Sequence, residues 1–299
     1  MTRPDPAPDP MNERPTVAVF DTPRPITATI AITAGDIRID ASERGDTVVE
    51  VRATDAANDL DVKAAEQVRV DYARGRLSVK EPTGLGRRVG GSRGGGSVDV
   101  RIAVPEGSHV RGGSAWAALH ADGRLGEVRF EGVRSDIRLE HTGPLRVAAV
   151  RGDISVGRVV GHAEITAHFG DVRVDLIEGS AVIGNENGDT TIGEITGDLR
   201  VGGTQGAVDI ALPHADVEVK AAHGDVRIGE AARGRIRLTT VSGAIDIGIR
   251  EGSAVGFDVS TVSGHVRNLL DVVDGPGHAR EIVEIRARTF DGDVTIRRS

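Results

Sequence analysis

Six aspartates recur at regular spacing in the middle of the chain, and their carboxylates could bind a metal ion. Four of them follow a glycine and lie eighteen residues apart or a multiple of it, and two more form an alternate set. The first set is Asp153, Asp171, Asp189 and Asp225, and the second is Asp198 and Asp216. A row of carboxylates along one edge of a fold would offer the oxygen ligands that Ca²⁺ prefers.

The residues around these aspartates favour turns over calcium binding. Calcium-binding nonapeptide repeats use Gly-Gly-x-Gly-x-Asp, whereas here a single glycine directly precedes the aspartate. Glycine supplies a positive φ and aspartate caps nearby backbone amides, so both belong in a turn. We therefore predict no calcium, other metal or cofactor, and we expect structural turn positions at Asp153, Asp171, Asp189, Asp198, Asp216, Asp225, Gly170, Gly188, Gly206 and Gly224.

The segment TGLGRRVGGSRGGGS at residues 83–97 is the second candidate site, this time for phosphate. A Walker loop requires Gly-x-x-x-x-Gly-Lys-Ser/Thr, and that pattern is absent here. Arg87, Arg88 and Arg93 could contact a polyanion, but a Gly/Arg-rich flexible loop is the simpler interpretation. The net charge of −8, with one Trp and one Tyr for base stacking, argues against nucleic-acid binding.

Residues for nucleophilic catalysis are also missing from the sequence. The chain contains no cysteine, and no Gly-x-Ser-x-Gly elbow links a strand to a helix. Its histidines are scattered, and the pairs His162 with His168 and His214 with His223 lack acids at the spacing of a metal site. We predict that the protein has no catalytic residues and is not an enzyme.

A nine-residue repeat positions the aspartates and predicts the fold. From Gly152 to Gly224 each unit reads as a Gly-Asp-like turn followed by an apolar-x-apolar strand, and two turn types alternate. Residues eighteen apart then form aliphatic columns such as Val156, Val174, Ile192 and Ile210. We predict an all-β fold: a parallel β-solenoid with two sheets, about 18 residues (two 9-residue units) per rung, capped at both ends.

Outward positions of the same strands alternate in charge along the predicted stack. Adjacent rungs of a parallel sheet lie about 4.8 Å apart, so residues eighteen apart are neighbours across strands. One outer column reads Arg173, Thr191, Asp209, Arg227 and Asp246. Opposite charges at this spacing favour the in-register alignment of the rungs.

The composition along the chain divides it into five segments. Residues 1–15 read as a disordered N-terminal arm and residues 16–82 as an N-terminal β region that caps or continues the solenoid. The flexible loop occupies 83–97 and the solenoid repeats occupy 98–270, while residues 271–299 supply C-terminal capping strands.

Several segments of the sequence resemble those of a known family. The strand ending VRIAVPEG, the units GDIRL, GDISV and GDVRV, and the phrase TVSGAIDI resemble the bacterial "putative adhesin" family, domain of unknown function 4097. The opening FDTPRPITATIAITAGDIRID is similar to the actinobacterial version of the family. The resemblance implies a β-solenoid with no established catalytic activity, and its adhesin label implies a surface location.

Four functions are considered for a solenoid of this kind. A non-catalytic interaction or scaffold protein with an unknown protein partner is the reading we adopt, because the short loops cannot build the cleft of a polysaccharide-acting β-helix enzyme. The alternatives are an exported adhesin-like surface protein, that enzyme, and an end-to-end filament former. The start MTRPDPAPDPMNERP has no apolar stretch and no membrane-length apolar run follows, so we expect a cytoplasmic protein.

Overall fold

Short strands of alternating burial dominate the chain. The computed structural model describes residues 16–82, 95–270 and 281–299. The N-terminal elements are β1 (Thr16–Asp21), β2 (Thr27–Ser42), β3 (Asp46–Ala53), α1 (Asp59–Gln67), β4 (Arg69–Ala73), β5 (Arg76–Lys80), β6 (Val98–Pro105) and β7 (His109–Arg124). The C-terminal elements are β22 (Ala254–Ser263), β23 (Val266–Asn268), β24 (Ile282–Asp291) and β25 (Val294–Arg298).

The repeats between these ends form strands of five to nine residues. They are β8 (Val128–Arg134), β9 (Ile137–Thr142), β10 (Leu145–Arg151), β11 (Ile154–Val160), β12 (Ala163–Phe169), β13 (Val172–Glu178), β14 (Ala181–Asn187), β15 (Thr190–Ile195), β16 (Leu199–Gln205), β17 (Val208–Pro213), β18 (Val217–His223), β19 (Val226–Ala231), β20 (Gly234–Ser242) and β21 (Ile245–Ile249). Each strand from β8 to β19 pairs in parallel with the strand two places on, which produces two ladders.

The even-numbered strands β8–β20 form a front sheet, and the odd-numbered strands β9–β21 form a back sheet. Pairs such as Ile183 with Val201 and Ile192 with Ile210 are eighteen residues apart and are fully buried between the sheets. The spacing is one residue longer where Val217 pairs with Ile236 and Val226 pairs with Ile245, and one residue shorter where Val128 pairs with Leu145. The structure confirms the parallel β-solenoid with two sheets and about 18 residues per rung.

The outer columns follow the predicted register as well. Asp209 is the partner of Thr191 on one side and of Arg227 on the other. On the front sheet, Arg200 lies beside Glu218 with 3.7 Å between Nε and Oε2. Such exposed ion pairs contribute about 0–1 kcal/mol each, so their main effect is on register.

Two long strands join the N-terminal region to the stack. β2 pairs with β7 in parallel from Thr27 to Ala41, so each of these strands crosses from the front sheet to the back sheet. On its other side β2 pairs with β5 and β6, beyond which β4, β3 and β1 run antiparallel. Residues 16–82 therefore contribute a rung of the solenoid and, through the antiparallel strands, an end to the stack.

The helix α1 is a local element that the strand pattern did not predict. Asn58 caps its N-terminus, where Oδ1 accepts a hydrogen bond of 3.0 Å from the Leu60 N–H. Asp61 is buried and accepts hydrogen bonds from the backbone N–H groups of Ser97 and Asp55. A capping asparagine followed by acidic residues and alanines is a short helix signal, and Asp61 ties this turn to the start of β6.

The C-terminal strands lie inside the stack rather than at its end. We expected residues 271–299 to cap the solenoid, but β24 lies between β20 and β22, and β25 lies between β21 and β23. The reason is visible in their side chains. Val283, Ile285 and Ala287 alternate regularly and are fully buried, which requires neighbours on both sides. The less regular rung β22–β23 takes the terminal position.

We predict that Ile210→Asp abolishes the native fold, because it places an unpaired charge between the sheets. The free energy of unfolding should fall by more than about 4 kcal/mol. Asp209→Ser, at the adjacent outward position, should change it by less than about 0.5 kcal/mol. Urea unfolding followed by circular dichroism measures both, and equal effects of the two substitutions would contradict the in–out register.

Candidate functional site

The aspartates of the first set form a ladder along one edge of the solenoid. The Oδ1 atom of Asp153 accepts a hydrogen bond of 2.9 Å from the N–H of Asp171, and Asp171 accepts one of 2.9 Å from Asp189. Asp189 continues the ladder to the N–H of Ala207 at 2.8 Å. Each carboxylate thus binds the amide of the next rung, whereas the sequence suggested amides within its own turn.

Alanine interrupts this ladder because it has no acceptor. The N–H of Ala207 donates to Asp189, but Ala207 has no carboxylate that could accept a hydrogen bond from the N–H of Asp225. The ladder resumes where the Asp225 carboxylate accepts a hydrogen bond of 2.7 Å from the N–H of Ala244. At the C-terminal end, Asp293 accepts from the N–H of His265 at 2.9 Å. The hydrogen bond from His265 and the nearby Arg267 hold the pKa of the Asp293 carboxyl below its usual range.

Asp216 and Asp198 lie at the alternate turns, on the opposite edge. Asp216 accepts hydrogen bonds from both the backbone N–H and the Nε of Arg235, each at 2.9 Å. These two hydrogen bonds lower the pKa of the Asp216 carboxyl. Asp198 is exposed, and its backbone carbonyl accepts from the N–H of Ala181 at 2.9 Å.

The glycines that precede the aspartates allow successive turns to stack directly on one another. Gly170, Gly188, Gly206 and Gly224 all have φ between 128° and 143°, a conformation that L side chains rarely adopt. A Cβ on Gly188 would lie 2.0 Å from the carbonyl oxygen of Gly170 in the rung below. Glycine is therefore required both by the backbone conformation and by the close contact between rungs.

The described residues contain no group of three His, Asp or Glu side chains that could hold a metal ion. The histidines instead pair singly with neighbours on the adjacent rung. His168 lies 3.0 Å from Glu186, His214 lies 2.9 Å from Glu194, and His162 lies 3.0 Å from the Ser180 hydroxyl. Arg87, Arg88 and Arg93, the candidate polyanion contacts, lie outside the residues that the structure describes.

A shallow groove on the outer surface of the front sheet is a concave feature that the sequence did not reveal. We define the front groove by its floor, the outward row Gly113, Glu131, Ala148 and Thr166, and by its two rims. It consists of two adjoining depressions of about 630 and 350 Å³ that share Gly112, Glu131 and Ala148. The floor is low at Gly113 and Ala148, which have small side chains in the middle of strands, and Glu131 lies between them.

One rim of the front groove is a column of three arginines on adjacent strands. Arg111 is the register partner of Arg129, which is the partner of Arg146. Glu127 relieves their repulsion by lying 3.1 Å from Arg111 and 2.5 Å from Arg129, and Arg146 lies 3.2 Å from Glu164. Hydrogen bonds from Arg111 and Arg129 lower the pKa of the Glu127 carboxyl, and this rim is a surface of mixed charge.

The opposite rim is apolar. Val133 and Val150 are 49% and 42% exposed on neighbouring strands, beside His168. In-strand glycines at Gly112, Gly113 and Gly132 are the sequence signal that could have located the groove, because glycine in a strand often marks a close backbone approach. The periodic pattern concealed them among the many turn glycines.

We predict that Gly188→Ala lowers the free energy of unfolding by roughly 2–4 kcal/mol, through backbone strain and the clash with Gly170. Gly184→Ala is the matched control, because its Cβ would meet no atom within 4 Å. That variant should be unchanged or more stable by up to about 1 kcal/mol. Thermal unfolding measures the stability of both variants. Equal stabilities would contradict the conclusion that the stacking of turns requires glycine at position 188.

We predict that millimolar calcium leaves the melting temperature unchanged, because each laddered carboxylate already binds an amide. A ligand at a hundred times its dissociation constant would add about 2.7 kcal/mol. Thermal unfolding with calcium and with a chelator tests this. A melting temperature that rises with calcium and returns on chelation would show that the aspartates form a metal site.

No helix within the described residues combines the length and the apolar character that crossing a membrane requires. Comparison with curated proteins finds no match to this sequence. Three crystal structures match this chain at low similarity. A "putative adhesin" from Bacteroides fragilis NCTC 9343 is 12% identical with a TM-score of 0.40, covering 95% of this chain and 98% of its own.

The other two structures are from Parabacteroides distasonis ATCC 8503. A "putative adhesin" is 13% identical with a TM-score of 0.43, over 94% of this chain and 97% of its own. A "putative lipid binding protein" is 12% identical with a TM-score of 0.45, over 95% of this chain and 97% of its own. The names of these neighbours remain descriptions of those proteins. The family profile is decisive, since it matches residues 27–297: the chain belongs to the Toastrack DUF4097 family.

Proposed function

We propose that the protein is a non-catalytic scaffold that binds a protein partner through the front groove. The observation that supports this most directly is the combination of a floor that is low at Gly113 and Ala148 with one mixed-charge rim and one apolar rim. The floor continues across β7, β8, β10 and β12, so a partner would contact several rungs of a rigid sheet at once. Repeat proteins commonly present such extended surfaces to their partners.

The chemistry of the rims favours a protein over a polyanion or a sugar. The arginine column is balanced by Glu127, Glu131 and Glu164, so the groove has no strong charge of a single sign. Arginine beside exposed aliphatic residues is a common composition of protein interfaces. The aromatic residue lining the groove is Phe130, which is 1% exposed and directed into the core, so it offers no platform for a sugar ring or a base.

The ionisable groups of the groove support binding rather than catalysis. A general acid at neutral pH needs a raised carboxyl pKa, whereas the pKa of Glu127 is lowered by two arginines. His168 lies at the edge of the groove with 42% of its side chain exposed, beside Glu186. These are solvated ion pairs, without the burial that tunes a catalytic group.

We predict that Ala148→Trp abolishes partner binding, because the indole would fill the floor of the front groove. Tagged protein first captures partners from a lysate of the source cells, and the affinity of a purified partner is then measured by calorimetry. Binding should weaken at least tenfold, which corresponds to about 1.4 kcal/mol. Ala211→Trp, at an exposed position of β17 on the back sheet, is the control and should bind normally.

Equal binding by the two variants would place the partner elsewhere on the molecule. Hydrolysis of polysaccharides by the purified protein, lost on substitution of Glu131, would contradict the non-catalytic function. Both measurements use the whole chain, and the unchanged far-UV spectrum of each variant serves as the folding control.

The cytoplasmic location expected from the sequence enters the proposal as a separate hypothesis. Fractionation of the source cells tests it, and we predict that the intact chain is recovered with the soluble contents. Recovery of the chain at the cell surface or in the medium, without lysis, would favour the exported adhesin-like alternative. The front groove would then be the surface to test for binding outside the cell.

A further inference from the structure

The terminal rung β22–β23 leaves the end of the hydrophobic core open. Val255, Phe257 and Val259 continue the inward column of Val283, Ile285 and Ala287 in β24. The residues in β24 are fully buried, whereas Phe257 is 44% exposed. In β23, Val266 continues the column of Val294 and is 45% exposed. An apolar core surface is thus in contact with solvent at this end.

The backbone at the same end is unpaired on its outer side. β22 pairs with β24, β23 pairs with β25, and no strand within residues 16–82, 95–270 or 281–299 pairs with the other side of either. Edge strands are usually protected by lysine, proline or a bulge. The ten residues of β22, AVGFDVSTVS, contain neither lysine nor proline, and their one charged side chain is Asp258.

The opposite end of the solenoid is different. There the outer strands β1, β3 and β4 run antiparallel to their neighbours, and α1 packs beside β3. Of its two edge strands, β4 carries the charged residues Arg69 and Asp71, whereas β1 exposes Val17 and Val19. The core at this end is bordered by antiparallel strands and a helix, whereas the other end has an apolar strand edge over an open core.

We propose that a second copy of this chain docks on the β22–β23 end, so that two solenoids associate head to head about a two-fold axis. The front sheet ends in the open edge of β22 and the back sheet ends in the open edge of β23, both in the same rung. The exposed apolar side chains of this rung lie between the two edges. A single extended peptide could pair with one of these edges only. The end of a second copy has two edges at the same separation, and antiparallel pairing of β22 with its copy keeps the inward faces aligned.

The open end of the core is a small surface, so backbone pairing has to supply much of the contact. A ten-residue strand spans about 33 Å and packed sheets lie about 10 Å apart, so the end of the core covers roughly 330 Å² per copy. Antiparallel pairing of β22 with its copy adds a ladder of backbone hydrogen bonds along this edge. Exposed Val262 and Phe290 lie on the outer surface beside this end and would extend the contact. Because the same surface is used by both copies, the assembly closes as a dimer.

Sedimentation equilibrium of the full chain tests the proposal. We expect a species of twice the chain mass of 31.3 kDa, and Phe257→Lys should convert it to the monomer because it places a charge in the interface. Val182→Lys is a matched control, since Val182 is 42% exposed but lies outward in the middle of the stack. It should remain dimeric. A monomer for the unmodified chain at all concentrations, or equal masses for both variants, would overturn the proposal.

Cross-linking identifies which ends meet, and the absence of native cysteine makes it specific. Ser260→Cys in β22 should form a dimer with a short bis-maleimide, whereas Asp71→Cys in β4 should not. A cross-link that forms only when the two variants are mixed would show head-to-tail filaments and contradict the two-fold arrangement. This experiment is independent of the effect of Phe257→Lys on folding, because both cysteine positions are exposed.

Discussion

The repeated spacing between rungs of the parallel stack determines most of what this molecule can do. Every residue in the solenoid lies about 4.8 Å from the equivalent residue of the next rung, so any feature that one rung has must be compatible with an identical feature directly above it. Turns satisfy this condition with glycine, because any Cβ would clash with the turn below. A Cβ on Gly188, for example, would lie 2.0 Å from the carbonyl oxygen of Gly170. Carboxylates satisfy it by binding the amide of the following rung, as Asp171 does for Asp189.

The same spacing explains which structural features the sequence reveals. Buried columns such as Ile192 above Ile210 are visible as a period, because each rung must place an aliphatic side chain at the same position. The aspartates are visible for the same reason, although the period alone does not indicate that their acceptor bonds cross between rungs. The helix α1 has ordinary capping signals at Asn58 and Asp61, which the strand pattern around it obscured.

Two features were not readable because they depend on the order and the surroundings of the rungs. The strands β22 and β24 both fit the repeat, and the more regular apolar alternation of β24 can be connected with its interior place only once its pairing with β20 is known. The front groove depends on outward residues that come together from β7, β8, β10 and β12, at positions where the repeat sets no requirement. A solenoid can change its outward residues without losing the fold. A binding surface made of such residues therefore does not appear as a period in the sequence.

The interior position of β24 and β25 has a consequence for how the chain is made. During synthesis, β22 and β23 leave the ribosome before β24 and β25, at a time when β20 and β21 still have open edges that either pair could occupy. A solenoid that grew by adding each new rung to the last would place β22 directly on β20. The native order requires that this early pairing be avoided or undone, so that β24 and β25 can enter between rungs that already exist. Completion of the solenoid is thereby coupled to the synthesis of these two strands.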